Sequence, residues 1–264
     1  HYGNNVLLTA DAGIGTMEAG VIAAKRENGL GGNGIMDQAE IMTLRVAAEG
    51  EPYLKDIALA IRYAVDHGAD VIMLPVQNTL YPENQKIWIN EALKYAEDKG
   101  VFVVAPAWEA AQDLSVTTYY PNRWMTGEKE LTNLMIVSSS DKNGNPSMNS
   151  NYGAKEVDLY APGMNIYSTY TGDTYQNGTG LGLAAATTAG VAALIKAYYP
   201  HLTGTQIRNI LLETVTSRKD VEVEKGIIVD GKQTQDLFLF GDLCLSGGII
   251  NAYQAVIAAD KITK

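Results

Sequence analysis

The chain has 264 residues, of which 46% are hydrophobic and 19% charged, with a net charge of −10. That size and balance suit one large globular domain able to bury a sizeable core. The acid excess leaves no basic patch to neutralise phosphates, which excludes nucleic acid as a partner, and the lone Cys244 excludes a disulfide framework or a thiolate metal cluster.

The chain begins at His1 with no initiator Met, signal peptide or targeting run, which reads as a processed, trimmed or internal start. Residues 1–13, polar and rich in Gly and Asn, predict a loop, and Ile14 to Glu27 predicts a helix. GLGGNG at 29–34 fits G-x-G-x-x-G by letter, but it follows a helix where that fingerprint needs a strand. Glu40–Val46 predicts a strand, and Tyr53–His67 an amphipathic helix with Ile57, Ile61 and Val65 at helical spacing. Asp70–Leu74 predicts a strand, Glu83–Lys99 a helix with Trp88 on its core face, and Val101–Ala105 a fully buried strand. A long irregular segment carrying Trp108 and Trp124 runs on to Thr132.

Leu134–Ser138, Val157–Tyr160 and Ile166–Thr169 predict further strands, separated by turns such as Asn143-Gly144 and Pro162-Gly163. From Gly178 to Ile195 there is no charge. Diluted by Gly and Thr, this stretch barely reaches the length of a membrane span. Gly180, Gly182 and Ala185 fit a dinucleotide loop, but TYQNGT precedes them and Pro200-His201 stands where the acid should follow. A helix apolar on every face, buried in the centre of the domain, fits best. A helix from about Thr205 to Thr216 has Thr203 as its cap, with Gln206 at capping-box spacing. A surface hairpin near Gly231 and Gly241 and a closing helix over Ile250–Lys261 complete the chain. Strands alternating with helices predict an α/β fold with a parallel sheet covered on both faces.

Several segments together resemble subtilisin-like serine peptidases, nearest to the branch of gut and environmental Bacteroidota. IGTMEAGVIAA at 14–24 stands where the family has HGTHVAGIIAA, and GIMDQAEIMTLRV at 34–46 resembles its GVADNVKIMTVRV-type strand. VFVVAPAWEAAQDL at 101–114 resembles VVVVAAAGNDGQD; SNYG at 150–153, VDLYAPG at 157–163 and IYST at 166–169 resemble SNYG, VDVFAPG and IYST. AGVAALIKAYYPHLTGTQIRNIL at 189–211 and SGGIINAYQAV at 246–256 continue the family's order. The resemblance implies a subtilisin-like three-layer fold with a mostly parallel central sheet. Residues 1–264 would form a single domain, the C-terminal three quarters of the family's catalytic domain. The strand carrying the family Asp would then be missing from this chain, present as a separate N-terminal fragment, undescribed or absent.

The positions that carry the family's chemistry are altered. The resemblance places the base at Ile14, the nucleophile at Gly182 and the oxyanion donor at Glu109, where GN has become Trp108-Glu109. An aliphatic side chain accepts no proton, and glycine has no side chain. A carboxylate repels a developing oxyanion by about 4 kcal/mol at about 4 Å and an effective dielectric of 20. Loss of the Ser or His of subtilisin costs about 10⁶ in rate. The substrate strand becomes Leu74, Pro75, Val76 and Gln77; Pro75 removes a backbone donor and Gln77 adds a side chain where Gly lets substrate approach. His1, His67 and His201 read as solvated, Thr179 lies on the wrong part of the turn, and Thr187 and Thr188 would bond back to carbonyls of their own helix. Leu181-Gly182-Leu183 then leave a smooth apolar helix end.

The expectation is an inactive subtilisin-like domain acting as a structural or protein-binding subunit of a larger assembly. It would be secreted, periplasmic or at the cell surface, and not membrane-spanning. An active serine endopeptidase and a nicotinamide-dependent oxidoreductase are the alternatives. No cofactor or metal is expected; calcium enters through the family resemblance alone, since its loops are not recognisable. A cleft filled by Trp108 and Glu109 would be closed to substrate.

Overall fold

The structure is a computed structural model that describes residues 5–7, 12–47, 52–76, 81–124 and 130–262. Its centre is a six-stranded sheet. β1 (Val71–Met73), β2 (Phe102–Pro106), β3 (Leu134–Ser140) and β4 (Leu159–Pro162) run parallel in that order. They continue into β10 (Gly248–Ile249), parallel to β4, and β7 (Thr216–Ser217), antiparallel at the far edge. β2 and β3 are buried at every position, as near-continuous apolar strands of a doubly covered parallel sheet should be.

The two-residue period of the strands sorts their side chains into two cores. Val103, Ala105, Leu134 and Ile136 face α2 (Leu54–Asp66) and α3 (Glu83–Asp98), with Val223, Phe240 and Leu243 closing that side. Phe102, Val104, Met135 and Val137 face α4 (Leu181–Tyr198), α5 (Gly204–Glu213) and α6 (Ala252–Ile262). The three-layer architecture is therefore observed. α4 is long and apolar enough to cross a membrane by composition, yet most of it is buried in the domain. Its Gly190 permits close packing, since a Cβ there would stand 2.8 Å from the Cβ of Ile35. Thr203 and Gln206 form the reciprocal capping box of α5. The hairpin of β8 (Glu222–Val229) and β9 (Lys232–Leu239) turns at Asp230-Gly231, both at positive φ.

Three expectations are corrected. Residues 40–46 are in no ladder among the described residues. Leu44 and Val46 pack against the core while Ile41 and Met42 are exposed; apolar burial without a hydrogen-bonding neighbour does not make a strand. β5 (Ile166–Tyr170) lies outside the main sheet and pairs antiparallel with β6 (Thr174–Gly178), across a turn with Gly172 and Asp173 at positive φ. TYQNG is thus a strand, but of a hairpin, which gives Gly180 no βαβ context. Trp88 is 42% exposed. The buried stripe of α3 is Ile89, Ala92, Leu93 and Ala96, at helical spacing, and Trp88 falls one position off it.

Candidate functional site

In open α/β sheets, sites form beyond the carboxyl ends of the strands. Here β2 ends at Pro106 and leads through Ala107 and Trp108 to Glu109, while α4 starts at Leu181 after Gly180. α1 (Gly13–Ala23) packs on both α4 and β5. These three pieces bring together the positions that sequence comparison singles out.

Ile14 lies in the first turn of α1 and is 67% exposed, an aliphatic group without proton-accepting chemistry. Gly182 is the second residue of α4, and a Cβ placed on it would stand 2.0 Å from Oε1 of Glu18. Glu18 comes from the middle of α1 and is 7% exposed. Burial pushes its carboxyl pKa up to about 7, and no hydrogen-bond or ion-pair partner for it is found among the described residues. Glu109 is exposed, and its Oε1 accepts the Leu181 N–H at 3.2 Å. That carboxylate satisfies one of the orphan donors of the helix start and lies at the positive end of its dipole.

The smooth apolar end expected at Leu181-Gly182-Leu183 is thereby overturned, because two carboxyl groups meet it. Glu109 could be named from the sequence; Glu18 was missed. Its signal was one acid inside an otherwise uncharged helix, GIGTMEAGVIA, where the family motif has Val.

The Trp108-Glu109 segment is held rigidly. Asn151 accepts from Ala110 N (3.1 Å) and Gln112 N (3.0 Å) through Oδ1, and its own N–H donates to Trp108 O (2.9 Å). Trp108 adopts φ 69°, a left-handed conformation that costs a non-glycine residue roughly 1 kcal/mol. It remains 38% exposed, so the α4 terminus is occupied by Glu109 rather than by the indole burying itself. On the other side, the buried Leu74 donates to Val104 O at 2.8 Å, Pro75 is exposed and Val76 half-buried; Gln77 lies outside the described residues.

The remaining candidates stay apart from this cluster. His67 ends α2 and stacks on Tyr63 at 3.8 Å, His201 is exposed, and His1 lies outside the described residues. Thr179 accepts from Asn165 N, and Thr188 bonds back to Ala184 O as expected. Thr187 instead donates to Pro162 O, at the end of β4, at 3.0 Å. Among the described residues no three His, Cys, Asp or Glu side chains gather as a metal-binding group.

The fold and this cluster define a subtilisin-like α/β domain. The Subtilase family profile of peptidases matches residues 7–240, and the chain belongs to that family. Subtilisin BL of Lederbergia lenta is 35% identical over 207 residues, 78% of this chain and 71% of that protein. Thermitase of Thermoactinomyces vulgaris is 36% identical over 184 residues, 69% of this chain and 61% of that one. A protease structure from Pseudoalteromonas arctica superposes with a TM-score of 0.72 at 27% identity, over 93% of this chain and 70% of the other.

Proposed function

We propose that this chain is a catalytically inactive subtilisin-like domain, of the kind found in Bacteroidota, that serves as a structural or protein-binding subunit of a secreted, periplasmic or cell-surface assembly. The observation that carries the reading is Gly182: the position resembling the family's nucleophile has no side chain, and the Glu18 carboxyl occupies the space one would need. Ile14 offers no base, and Glu109 places a carboxylate on the helix terminus where acyl transfer needs donors free for an oxyanion. Each of the first two losses alone would remove about 10⁶ in rate. At the site, Ile14 and Trp108 are exposed, and aromatic and aliphatic groups of this kind supply contact area to a protein partner.

The competing reading, an active serine endopeptidase, rests on the protease names of several relatives. A fluorophosphonate probe separates the two. The proposal expects no labelled serine at neutral pH, under conditions that label a subtilisin fully. Stoichiometric labelling at any serine would sink it. A pull-down of the protein from its native source then tests the binding role, with a stable, specific co-purifying chain as the expected result.

A further inference from the structure

Glu18 is the one charged side chain on α1, and no hydrogen-bond or ion-pair partner for it is found among the described residues. Along α4 the nearest cation in sequence is Lys196, at the far end, which donates to Pro200 O and Leu202 O. β5 presents the phenols of Tyr167 and Tyr170 and the hydroxyls of Ser168 and Thr169, which are spent on Met17 O and Thr16 O. The loop after β2 contributes Glu109, a like charge already bound to the α4 terminus. The Glu18 carboxyl is buried and has no hydrogen-bond or ion-pair partner among the described residues.

The joint it sits in is also small. Met17, Val21, Leu183 and Ala186 form a satellite core between α1 and α4, joined to the larger core on that face only through the partly buried Ile22, Ile35 and Met73. α1 itself is fixed to β5, where Gly13 leaves room for the Tyr170 ring and Gly20 for Ser168 and Thr169. α1 therefore has two supports, β5 on one side and this satellite core against α4 on the other, and the buried Glu18 carboxyl belongs to the second.

We infer that Glu18 is a proton-dependent latch: its neutral carboxyl fills the side-chain space of position 182 and holds α1 against the start of α4, and its ionisation releases that contact. A charged carboxylate is costly to keep desolvated and unpaired, so it leaves for water and opens a slot at Gly182. The rise in its pKa through burial places the change near neutrality. This makes the altered site conformationally responsive to pH whether or not the domain cleaves peptides.

Hydrogen exchange, corrected for the intrinsic pH dependence of amide exchange, tests the inference at about pH 6 and about pH 8. In the wild-type chain, protection over 13–23 and 181–186 is expected to fall roughly tenfold between the two, one decade of opening for each decade of added proton dissociation. α5 and α6 should not change, and Glu18→Gln should show the same protection at both pH values. A Gly182→Ala variant displaces the carboxyl sterically, and should bring the pH 6 pattern of α1 close to that of the wild type at pH 8; combining it with Glu18→Ala should restore protection. Wild-type protection that does not respond to pH, or an equal response in Glu18→Gln, overturns the latch. Such a result would leave the fluorophosphonate outcome untouched, so the two proposals fail separately.

Discussion

At the scale of single residues, two buried carboxyl groups differ in surroundings: one has partners, and the other has none among the described residues. Glu18 is moved from 4.5 to about 7 by burial. The folded protein keeps its proton while the unfolded chain releases it above about pH 4.5, so the folded state is favoured most below that value. Stability then falls as pH rises toward about 7 and levels off, by at most about 3 kcal/mol. Glu18→Gln should therefore stabilise the protein by up to that amount at about pH 8 and leave it unchanged at about pH 4, measured by urea unfolding. An equal gain at both values would mean that packing, not charge, is at fault. Asp158 is the contrast: fully buried, it accepts from Arg123 at 2.8 Å, Arg208 at 2.5 Å and Ile136 N at 2.7 Å. Asp158→Asn leaves Arg123 and Arg208 with only the exposed Glu130 carboxylate as anion and should cost roughly 3 kcal/mol, the low end for breaking a buried pair, in the same measurement.

Among the elements, α4 and α5 show which features sequence makes legible. The capping box of α5 is local, three residues apart, and it stands as the letters predict; Thr203→Ala should lose about 1 kcal/mol of stability in thermal or urea unfolding. The burial of α4 follows from an uncharged surface all round, and Gly190→Ala should cost roughly 1–3 kcal/mol by forcing Ile35 aside. What escaped the sequence depends on contacts across the chain. EIMTLRV has strand composition, but strand formation requires a ladder partner, and composition does not supply one. A large aromatic such as Trp88 suggests the core face, whereas the phase of Ile89, Ala92, Leu93 and Ala96 decides which side of α3 is buried. Ile14, Gly182 and Glu109 could be named because motifs around them keep their order. The Glu18–Gly182 contact could not, since it joins residues far apart in the chain through the packing of two helices.

For the whole molecule, the pH response is set by Glu18 together with a buried base on the opposite layer. Lys225 of β8 is fully buried; its Nζ donates to Met148 O at 3.1 Å and Gly226 O at 3.3 Å and lies 5.3 Å from the centre of the Tyr152 ring. Burial lowers its pKa from 10.5 to about 7. The unfolded chain holds this proton between about pH 7 and 10.5 while the folded protein gives it up, so stability rises with pH across that window. Its ceiling is about 5 kcal/mol, and the two carbonyls and the ring face, which favour the ammonium, offset part of it. Glu18 makes stability fall on the acid side of about pH 7, and Lys225 makes it rise on the alkaline side. Their sum is a minimum near neutrality, unlike the broad optimum between about pH 5 and 8 of most proteins. Urea midpoints taken from about pH 5 to about pH 10 should trace that valley. Glu18→Gln should remove its acid wall, Lys225→Met its alkaline wall, and the double variant should be flat up to about pH 9, above which the buried Cys244 thiol, pushed up to about 11, lowers stability. A single maximum near neutrality in the wild-type chain would show that neither group is buried in the ionisation state assigned to it.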